Sequence, residues 1–208
     1  MELKSVTEVV DTIRSGGVAL IQVDTIFGLI CNGLNNKAIR KIENIKQRNK
    51  PSFGFFVRDI DVATKYAKMS ELQKKCFQTV FPGYFTLILP ASKLAVSTLQ
   101  ERTLGNVGDK KTIGLRIPKN DFCLNLLKHF DTPLVATSAN ISGQKTAKSF
   151  KEIDQKIVSS VDIIYHDENT KIAGLSSTII DIVSTNHCKI IRQGSGDINI
   201  LKELISFK

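Results

Sequence analysis

A continuous apolar segment near the start of the chain constrains the fold most. Residues 18–23 read Val-Ala-Leu-Ile-Gln-Val, with only one polar side chain among them. A strand with one solvated face alternates apolar and polar residues, whereas a run of this kind fits a strand that is covered on both faces. Because helices are the usual cover on both sides of such a sheet, the segment favours an α/β fold.

Segments with helical and strand patterns alternate along most of the chain. Ser5, Ser70 and Ser149 each stand three residues before a Glu or Gln, which is the capping-box pattern of a helix start. The late strands follow one another closely, so we predict a single α/β domain with a twisted mixed β-sheet and flanking helices. Residues 91–111 are predicted to be irregular and mobile. Predicted helices cover residues 5–15, 34 to 47–49, 59–67, 70–80, 121–130, 149–159 and 197–207, and predicted strands cover 18–23, 53–57, 85–89, 112–117, 134–137, 161–165, 177–183 and 188–192.

The charge balance favours anionic partners. The chain has 208 residues, 42% of them hydrophobic, which is enough for one generous core. Its 29 Lys and Arg against 20 Asp and Glu give a formal net charge of +9. Nucleotides, phosphates, nucleic acid and acidic membranes all remain open as partners at this point. The sequence has no recognisable linker or internal repeat, so residues 1–208 are predicted to form one domain.

The cysteines and histidines do not predict a metal site or a disulfide framework. The four cysteines and three histidines are scattered, with no Cys-x-x-Cys pair. The first residues lead into an amphipathic pattern, and no apolar stretch is long enough for a signal peptide or a membrane span. We therefore expect a reduced, soluble, cytoplasmic protein that does not bind a membrane.

An apolar run near residue 134 stops abruptly in small polar residues. Residues 134–137 read as the end of a buried strand, and Ser138, Asn140, Ser142 and Gly143 follow it. Ligands of open α/β sheets usually bind at the carboxyl ends of strands, so this segment is a candidate binding site. An ordinary polar strand-to-helix loop is the alternative.

A cluster of cations lies at the predicted end of the second helix. Lys46, Arg48 and Lys50 fall within five residues, and Pro51 favours a splayed arrangement that would suit a polyanion. A solvated basic helix end is the alternative. The sequence lacks the usual phosphate-binding loop motif, so any nucleotide would need cations such as Lys46, Arg48 and Arg192 together with the hydroxyl and N–H groups of residues 138–143.

Three further polar residues lie at or within predicted strands. Arg116 sits in an otherwise apolar strand, so its guanidinium should meet a carboxylate or open into a cavity. Thr25 follows the first strand and Ser177 begins a late one, where both could line the same crevice. Hydrogen bonding at strand edges and an internal salt bridge are the alternatives.

These residues belong to a series of motifs that resembles the threonylcarbamoyl-AMP synthase family, the YrdC-like domain. Each motif is weak alone, but so many in one order are specific, and together they cover residues 17–194. The matching segments are Gln-Val-Asp-Thr-Ile-Phe-Gly-Leu at 22–29, Lys-Gln-Arg at 46–48, Phe-Pro-Gly at 81–83 with Phe-Thr-Leu-Ile-Leu at 85–89, Ile-Gly-Leu-Arg-Ile-Pro at 113–118, Ser-Ala-Asn at 138–140 with Ser-Gly at 142–143, Ser-Thr-Ile-Ile-Asp at 177–181, and Ile-Arg at 191–192 with a glycine at 194.

The resemblance implies a short, single-domain YrdC-like fold with a concave basic cavity, and a nucleotidyltransferase reaction. L-threonine, bicarbonate and ATP would give L-threonylcarbamoyladenylate and pyrophosphate. A separate tRNA threonylcarbamoyltransferase complex would then use that product to modify the adenosine beside the anticodon of many tRNAs. Magnesium would be held chiefly by the triphosphate, with no protein metal ligand.

The resemblance also carries roles to individual residues. Lys46 and Arg48 would be catalytic. Arg116 would bind the threonine carboxylate with its fork of donors, because that contact satisfies its buried charge. The implied ATP-binding residues are Lys46, Arg48, Lys50, Thr112, Ser138, Asn140, Thr146 and Arg192, and the implied threonine-binding residues are Thr25, Arg116 and Ser177.

Five positions depart from the family pattern: Val23, Phe27, Lys50, Phe55 and Ser176 replace residues that are common in it. Two alternatives therefore stay open. One is a YrdC-like relative that binds nucleotide or RNA without making the adenylate, which the segments 100–102 and 111–116 resemble. The other is a module that binds tRNA or double-stranded RNA through phosphate contacts and shape.

Overall fold

The computed structural model describes residues 4–47, 53–184 and 188–207. Arg48 and Lys50, two predicted site residues, lie outside the described residues. The helices are α1 (Val6–Arg14), α2 (Asn36–Lys46), α3 (Ile60–Tyr66), α4 (Glu71–Val80), α5 (Lys93–Thr98), α6 (Asp121–Leu127) and α7 (Gln155–Ser160). The strands are β1 (Ala19–Gln22), β2 (Phe27–Asn32), β3 (Gly54–Phe56), β4 (Phe85–Pro90), β5 (Gly105–Val107), β6 (Lys110–Arg116), β7 (Leu134–Ser138), β8 (Ile163–Tyr165), β9 (Thr178–Asp181) and β10 (Lys189–Arg192).

The strands form one mixed sheet. Their order is β10-β9-β4-β6-β3-β7-β2-β1-β8, and β5 pairs with β6 outside this path. The pairs β1–β8, β3–β6 and β4–β9 are parallel, and the other pairs are antiparallel. The predicted α/β domain with a mixed sheet and flanking helices is confirmed.

Helices cover both faces of this sheet. All four residues of β1 are buried, and its side chains divide by alternation between two cores. Leu20 packs in the larger core, whereas Ala19 and Ile21 pack in the smaller one with α1 and α6. The double-sided cover that residues 18–23 predicted is therefore present. In the described part of the chain, no helix is long and apolar enough to cross a membrane.

Capping explains where several helices begin and end. Ser5 with Glu8, and Ser70 with Gln73, form complete capping boxes at the starts of α1 and α4, as predicted. Helix α2 ends at Lys46, and the backbone of its C-cap residue Gln47 is left-handed with φ of 51°. This C-cap agrees with the predicted stop at residues 47–49 and places Lys46 in the last turn.

The third predicted capping box does not start a continuous helix. Glu152 accepts hydrogen bonds from the Ser149 hydroxyl and the Lys148 amide, and only a short 3-10 turn, Phe150–Glu152, follows. Asp154 then caps α7 through the Lys156 amide. The predicted helix over residues 149–159 is thus two separate elements.

The prediction was also wrong in three other segments. Strand β2 was not predicted. It follows β1 after a short turn and pairs with it in an antiparallel direction. Residues 91–111 contain α5, a 3-10 turn and β5, so the segment is not irregular as predicted. The predicted terminal helix over 197–207 is only the 3-10 turn Ile198–Leu201, because Phe207 forms a β-bridge with Cys188 and the chain extends toward it.

Candidate functional site

A cavity of about 450 Å³ lies over the centre of the sheet. Strands β2, β3, β4, β6, β7 and β9 contribute to its lining, as do the β5 hairpin, the turn between β1 and β2, and the segment before β9. Five predicted site residues line it together: Thr25, Thr112, Ser138, Ser177 and Arg192.

The floor of the cavity is a row of residues without large side chains. Gly114, Gly54 and Ala136 are paired in register across β6, β3 and β7. Ile88 and Ile30 continue the same row on either side. Since neighbouring strands lie about 4.8 Å apart, three small residues in a row leave a depression wide enough for a flat ligand group. We refer to Gly114, Gly54 and Ala136 as the small-residue floor.

A buried ion pair lies beside one part of the cavity. Arg116 pairs with Asp24, and its Nη1 donates to the Thr25 hydroxyl at 3.0 Å. Asp24 also accepts from the Lys119 amide at 2.8 Å. The sequence predicted that the Arg116 guanidinium would either meet a carboxylate or open into a cavity. The structure shows the carboxylate partner, and Arg116 lies directly behind Thr25. Burial lowers the pKa of Arg116, and the charge of Asp24 opposes that shift.

Ser177 and Arg192 belong to the same part of the site. Arg192 donates from Nε and Nη2 to the Ser177 carbonyl at 3.2 and 2.9 Å, which orients its guanidinium. Burial lowers the pKa of Arg192, and the positive charge of Arg116 lowers it further. The two guanidinium groups are therefore close enough to interact, and this end of the cavity favours an anion.

The sequence prediction missed Thr86, which also lines the cavity. Its hydroxyl lies 2.8 Å from the Ser177 hydroxyl, and both residues are buried. The available signal was a lone threonine in the apolar strand Phe-Thr-Leu-Ile-Leu. That signal is weak because the partner lies 91 residues away in the chain.

Lys46 joins the end of α2 to the loop after β7. Its side chain is buried, and Nζ donates to the carbonyl oxygens of Ser138 at 2.5 Å and Asn140 at 2.9 Å. The Ser142 amide donates back to the Lys46 carbonyl at 3.1 Å. The Ser138 hydroxyl hydrogen-bonds the Asn140 side chain, and Asn140 donates to the Gln144 carbonyl at 2.6 Å. The two predicted motifs, 46–48 and 138–143, thus meet at Lys46.

The remaining predictions have mixed outcomes. Thr112 is buried in β6 and faces the cavity, whereas Thr146 lies in the loop after β7 and, within the described part of the chain, is not among the lining residues. Among residues 4–47, 53–184 and 188–207, no group of three or more His, Cys, Asp or Glu side chains could hold a metal ion.

Comparison with known proteins gives relatives over nearly the whole chain. A protein of Methanocaldococcus jannaschii that is provisionally named a threonylcarbamoyl-AMP synthase is 35% identical over 192 residues, covering 91% of this chain and 84% of the relative. The crystal structure of Escherichia coli YciO superimposes with a TM-score of 0.81 at 26% identity, covering 94% and 91% of the two chains. YciO is described as an uncharacterized protein.

A third comparison concerns the fold alone. The crystal structure of P. abyssi Sua5 complexed with L-threonine has a TM-score of 0.84 at 22% identity, and the chain spans 58% of its length. A family model that covers Sua5, YciO and YrdC, described as telomere recombination, matches residues 11–194. This match covers most of the chain, as the 35% identical relative does, and the chain therefore belongs to the Sua5, YciO and YrdC family.

Proposed function

We propose that the protein is an L-threonylcarbamoyladenylate synthase that acts as a single catalytic domain. The observation that carries the proposal is the arrangement of the cavity. Thr25, Ser177 and Arg192 provide one polar side, with Arg116 behind Thr25. Ser138, held beside buried Lys46, provides another polar side. A site in which an anionic carbamate reacts with ATP would use this combination of separated polar groups and an open floor.

Thr25, Arg116 and Ser177 are the proposed threonine-binding residues. Thr25 accepts a hydrogen bond from Arg116, so its own hydroxyl proton is free to donate toward a ligand carboxylate. Thr112, Ser138, Asn140, Thr146 and Arg192 are the proposed ATP-binding residues, together with Lys46, Arg48 and Lys50. Magnesium would enter bound to the triphosphate.

The proposed chemistry needs positioning and charge neutralisation more than a nucleophilic side chain. The threonine amine and bicarbonate give a carbamate and water, a carbamate oxygen then attacks the α-phosphorus of ATP, and pyrophosphate leaves. Lys46, Arg48 and Arg192 would lower the cost of bringing these anions together. In the described structure Lys46 also fixes residues 138–142, so its role would include placing Ser138.

Pyrophosphate release tests the proposal directly. Release from ATP should require both L-threonine and bicarbonate, and mass spectrometry should detect threonylcarbamoyl-AMP. Arg48→Ala should abolish release while the far-ultraviolet circular dichroism spectrum stays unchanged. Release that ignores threonine, or an absence of release with both substrates present, would contradict the proposed function.

A second candidate function follows from the similarity to YciO. That protein matches this chain over nearly the full length of both, and it is not named as a synthase. With the +9 charge, the alternative is a protein that binds nucleotide, tRNA or double-stranded RNA without synthase activity. Salt-sensitive RNA binding together with no pyrophosphate release would favour this second function.

A further inference from the structure

One group of cavity residues combines hydroxyl groups with apolar side chains. Thr86 and Ile88 lie two residues apart on β4, and Ser177 and Ile179 lie two residues apart at the start of β9. All four line the cavity. Because β4 and β9 are parallel, with Thr86 opposite Ile179, a step of two residues runs in the same direction along both strands. The four residues therefore form one patch. Along the strands Ser177 comes first, Thr86 and Ile179 lie level with each other, and Ile88 comes last. The two hydroxyls are therefore diagonal neighbours, and on each strand the hydroxyl residue is followed two residues later by an isoleucine.

The burial pattern shows that this patch faces the cavity rather than the core. Leu87, Leu89 and Ile180 are fully buried and belong to the larger core. Ile88 and Ile179, which alternate with them, are only partly buried. An apolar side chain that is left partly exposed inside a cavity gains when a ligand methyl group covers it.

The hydroxyl pair of the patch is already oriented. Thr86 and Ser177 share one hydrogen bond at 2.8 Å, so one of their two hydroxyl protons stays available. Arg192 anchors the Ser177 carbonyl from the outer side, and its Nη2 also lies 3.4 Å from the Ser177 hydroxyl. A ligand hydroxyl that met this pair would find both a donor and an acceptor within one small area.

We propose that this patch selects the side chain of the amino-acid substrate, with Thr86 and Ser177 binding a β-hydroxyl and Ile88 and Ile179 contacting a β-methyl group. L-threonine carries both groups on one carbon, L-serine lacks the methyl and L-valine lacks the hydroxyl. Thr86 is thereby a specificity-determining residue. The inference rests on the proposed function and adds the means by which threonine is distinguished from its two closest analogues.

The test compares L-threonine, L-serine and L-valine on wild-type protein and on Thr86→Val, which keeps the shape of the side chain and removes its hydroxyl. Sites that hydrogen-bond a substrate hydroxyl discriminate strongly against analogues that lack it, so the preference for threonine over valine should fall about tenfold or more in Thr86→Val. Thr86→Ser should retain that preference. Ile179→Ala should instead reduce the preference for threonine over serine, by about tenfold, because it removes the methyl contact.

Two readouts separate this inference from the proposed function. One is kcat/KM for pyrophosphate release, and the other is calorimetric binding of each amino acid with bicarbonate and a non-hydrolysable ATP analogue. Unchanged preferences in an active Thr86→Val enzyme would overturn the inference and leave the synthase function standing. A shifted binding preference with no pyrophosphate release in wild-type protein would support the inference and contradict the synthase function.

Thr178→Val is the matched control. Thr178 is fully buried in β9 directly after Ser177, but its hydroxyl bonds the backbone of Gly194 and Gly196 rather than the cavity. This variant should lower stability and leave the preference among the three amino acids unchanged. If Thr86→Val does not fold, Ile88→Val and Ile179→Ala test the methyl contact alone. A preference for threonine over serine that equals that of wild-type protein in both variants would overturn the inference.

Discussion

At the residue scale, Ser138 at the end of β7 and Asn140 in the loop that follows contact different groups. Ser138 faces the cavity and contacts the Asn140 side chain, whereas the Asn140 amide group donates to the carbonyls of Ile141 and Gln144. Ser138 is therefore placed to contact a ligand, and Asn140, besides its proposed contact with ATP, holds the loop in shape. Both residues belong to one sequence motif, so the motif alone could not separate these duties.

Ser138→Ala should lower adenylate formation much more than stability. Loss of one oriented polar group at a reacting centre commonly costs about 100-fold in rate, whereas loss of one hydrogen bond costs about 1 kcal/mol of stability. Pyrophosphate release and urea unfolding measure the two effects. Asn140→Ala should cost more stability than Ser138→Ala because the Gln144 carbonyl loses its side-chain donor and the Ile141 carbonyl keeps only the Gln144 amide. Equal activity with lower stability for Ser138→Ala would instead mark residues 138–143 as an ordinary polar loop.

The ion pair of Arg116 and Asp24 supports a second prediction at this scale. Asp24→Asn leaves a buried guanidinium without its counter-charge, which should destabilise the protein by about 3–5 kcal/mol in urea unfolding. Combining it with Arg116→Met should recover part of that loss, because no buried charge then remains. A cost below about 1 kcal/mol for Asp24→Asn would contradict the buried environment of the pair.

This pair also changes what Arg116→Ala can show. The role that the family resemblance implies for Arg116 predicts that this variant mainly weakens threonine binding. The structure adds a stability cost, because Asp24 would lose its cation and keep only the Lys119 amide as a partner among those described for its carboxylate. Threonine affinity must therefore be compared in samples shown to be folded.

At the scale of elements, the segment 91–111 connects the cavity to α2. Arg102 donates to Glu43 of α2 at 2.7 Å and also contacts Asn36 at the start of that helix. The following strand β5 places Gly105, Asn106 and Val107 against the cavity. The same helix ends at Lys46, so Arg102 links two parts of the proposed nucleotide site.

Arg102→Met should loosen this connection. Backbone amides of residues 100–107 should exchange with deuterium faster, and ATP affinity should fall several-fold while threonine binding by residues of β4 and β9 stays unchanged. Glu101→Gln is the matched control on the same segment, because its ion pair with Lys111 is largely exposed and contributes little. Equal exchange rates in wild type and Arg102→Met would contradict the link.

Local patterns predicted most elements, and long-range pairing decided the rest. The capping boxes of α1 and α4 satisfy backbone groups within four residues, so the sequence alone reveals them. Strand β2 depends on pairing with β1 and β7, and the 197–207 segment depends on the bridge from Phe207 to Cys188. The same holds for the site. Family motifs predicted Thr25, Ser138 and Ser177 as site residues, whereas the role of Thr86 became visible only from the pairing of β4 with β9.

At the scale of the whole molecule, the four cysteines report on global unfolding. Cys31, Cys76, Cys123 and Cys188 are all free and buried. Burial raises the pKa of each thiol, to about 11 for Cys188. At pH 8 these thiols are therefore protonated as well as covered, and both conditions suppress their reactivity.

A disulfide reagent should accordingly label no cysteine of the native protein at pH 8. All four thiols should become reactive together across the urea transition, at the midpoint that circular dichroism reports. Each thiol would then act as a probe of the same cooperative unfolding. Labelling of one cysteine well below that midpoint would reveal a part of the fold that opens independently.

The small-residue floor leaves room in the cavity because Gly114, Gly54 and Ala136 lack the side-chain atoms that would fill it. A Cβ added at Gly114 would meet its nearest neighbour, the Thr86 methyl group, at 3.4 Å, an ordinary contact, and the flanking Ile113 and Leu115 point into the core on the other side. Volume on the ligand side of the sheet can thus be removed by single substitutions that leave the core side unaltered. The two faces of one strand can be altered separately, so this fold can change what it binds without changing what holds it together.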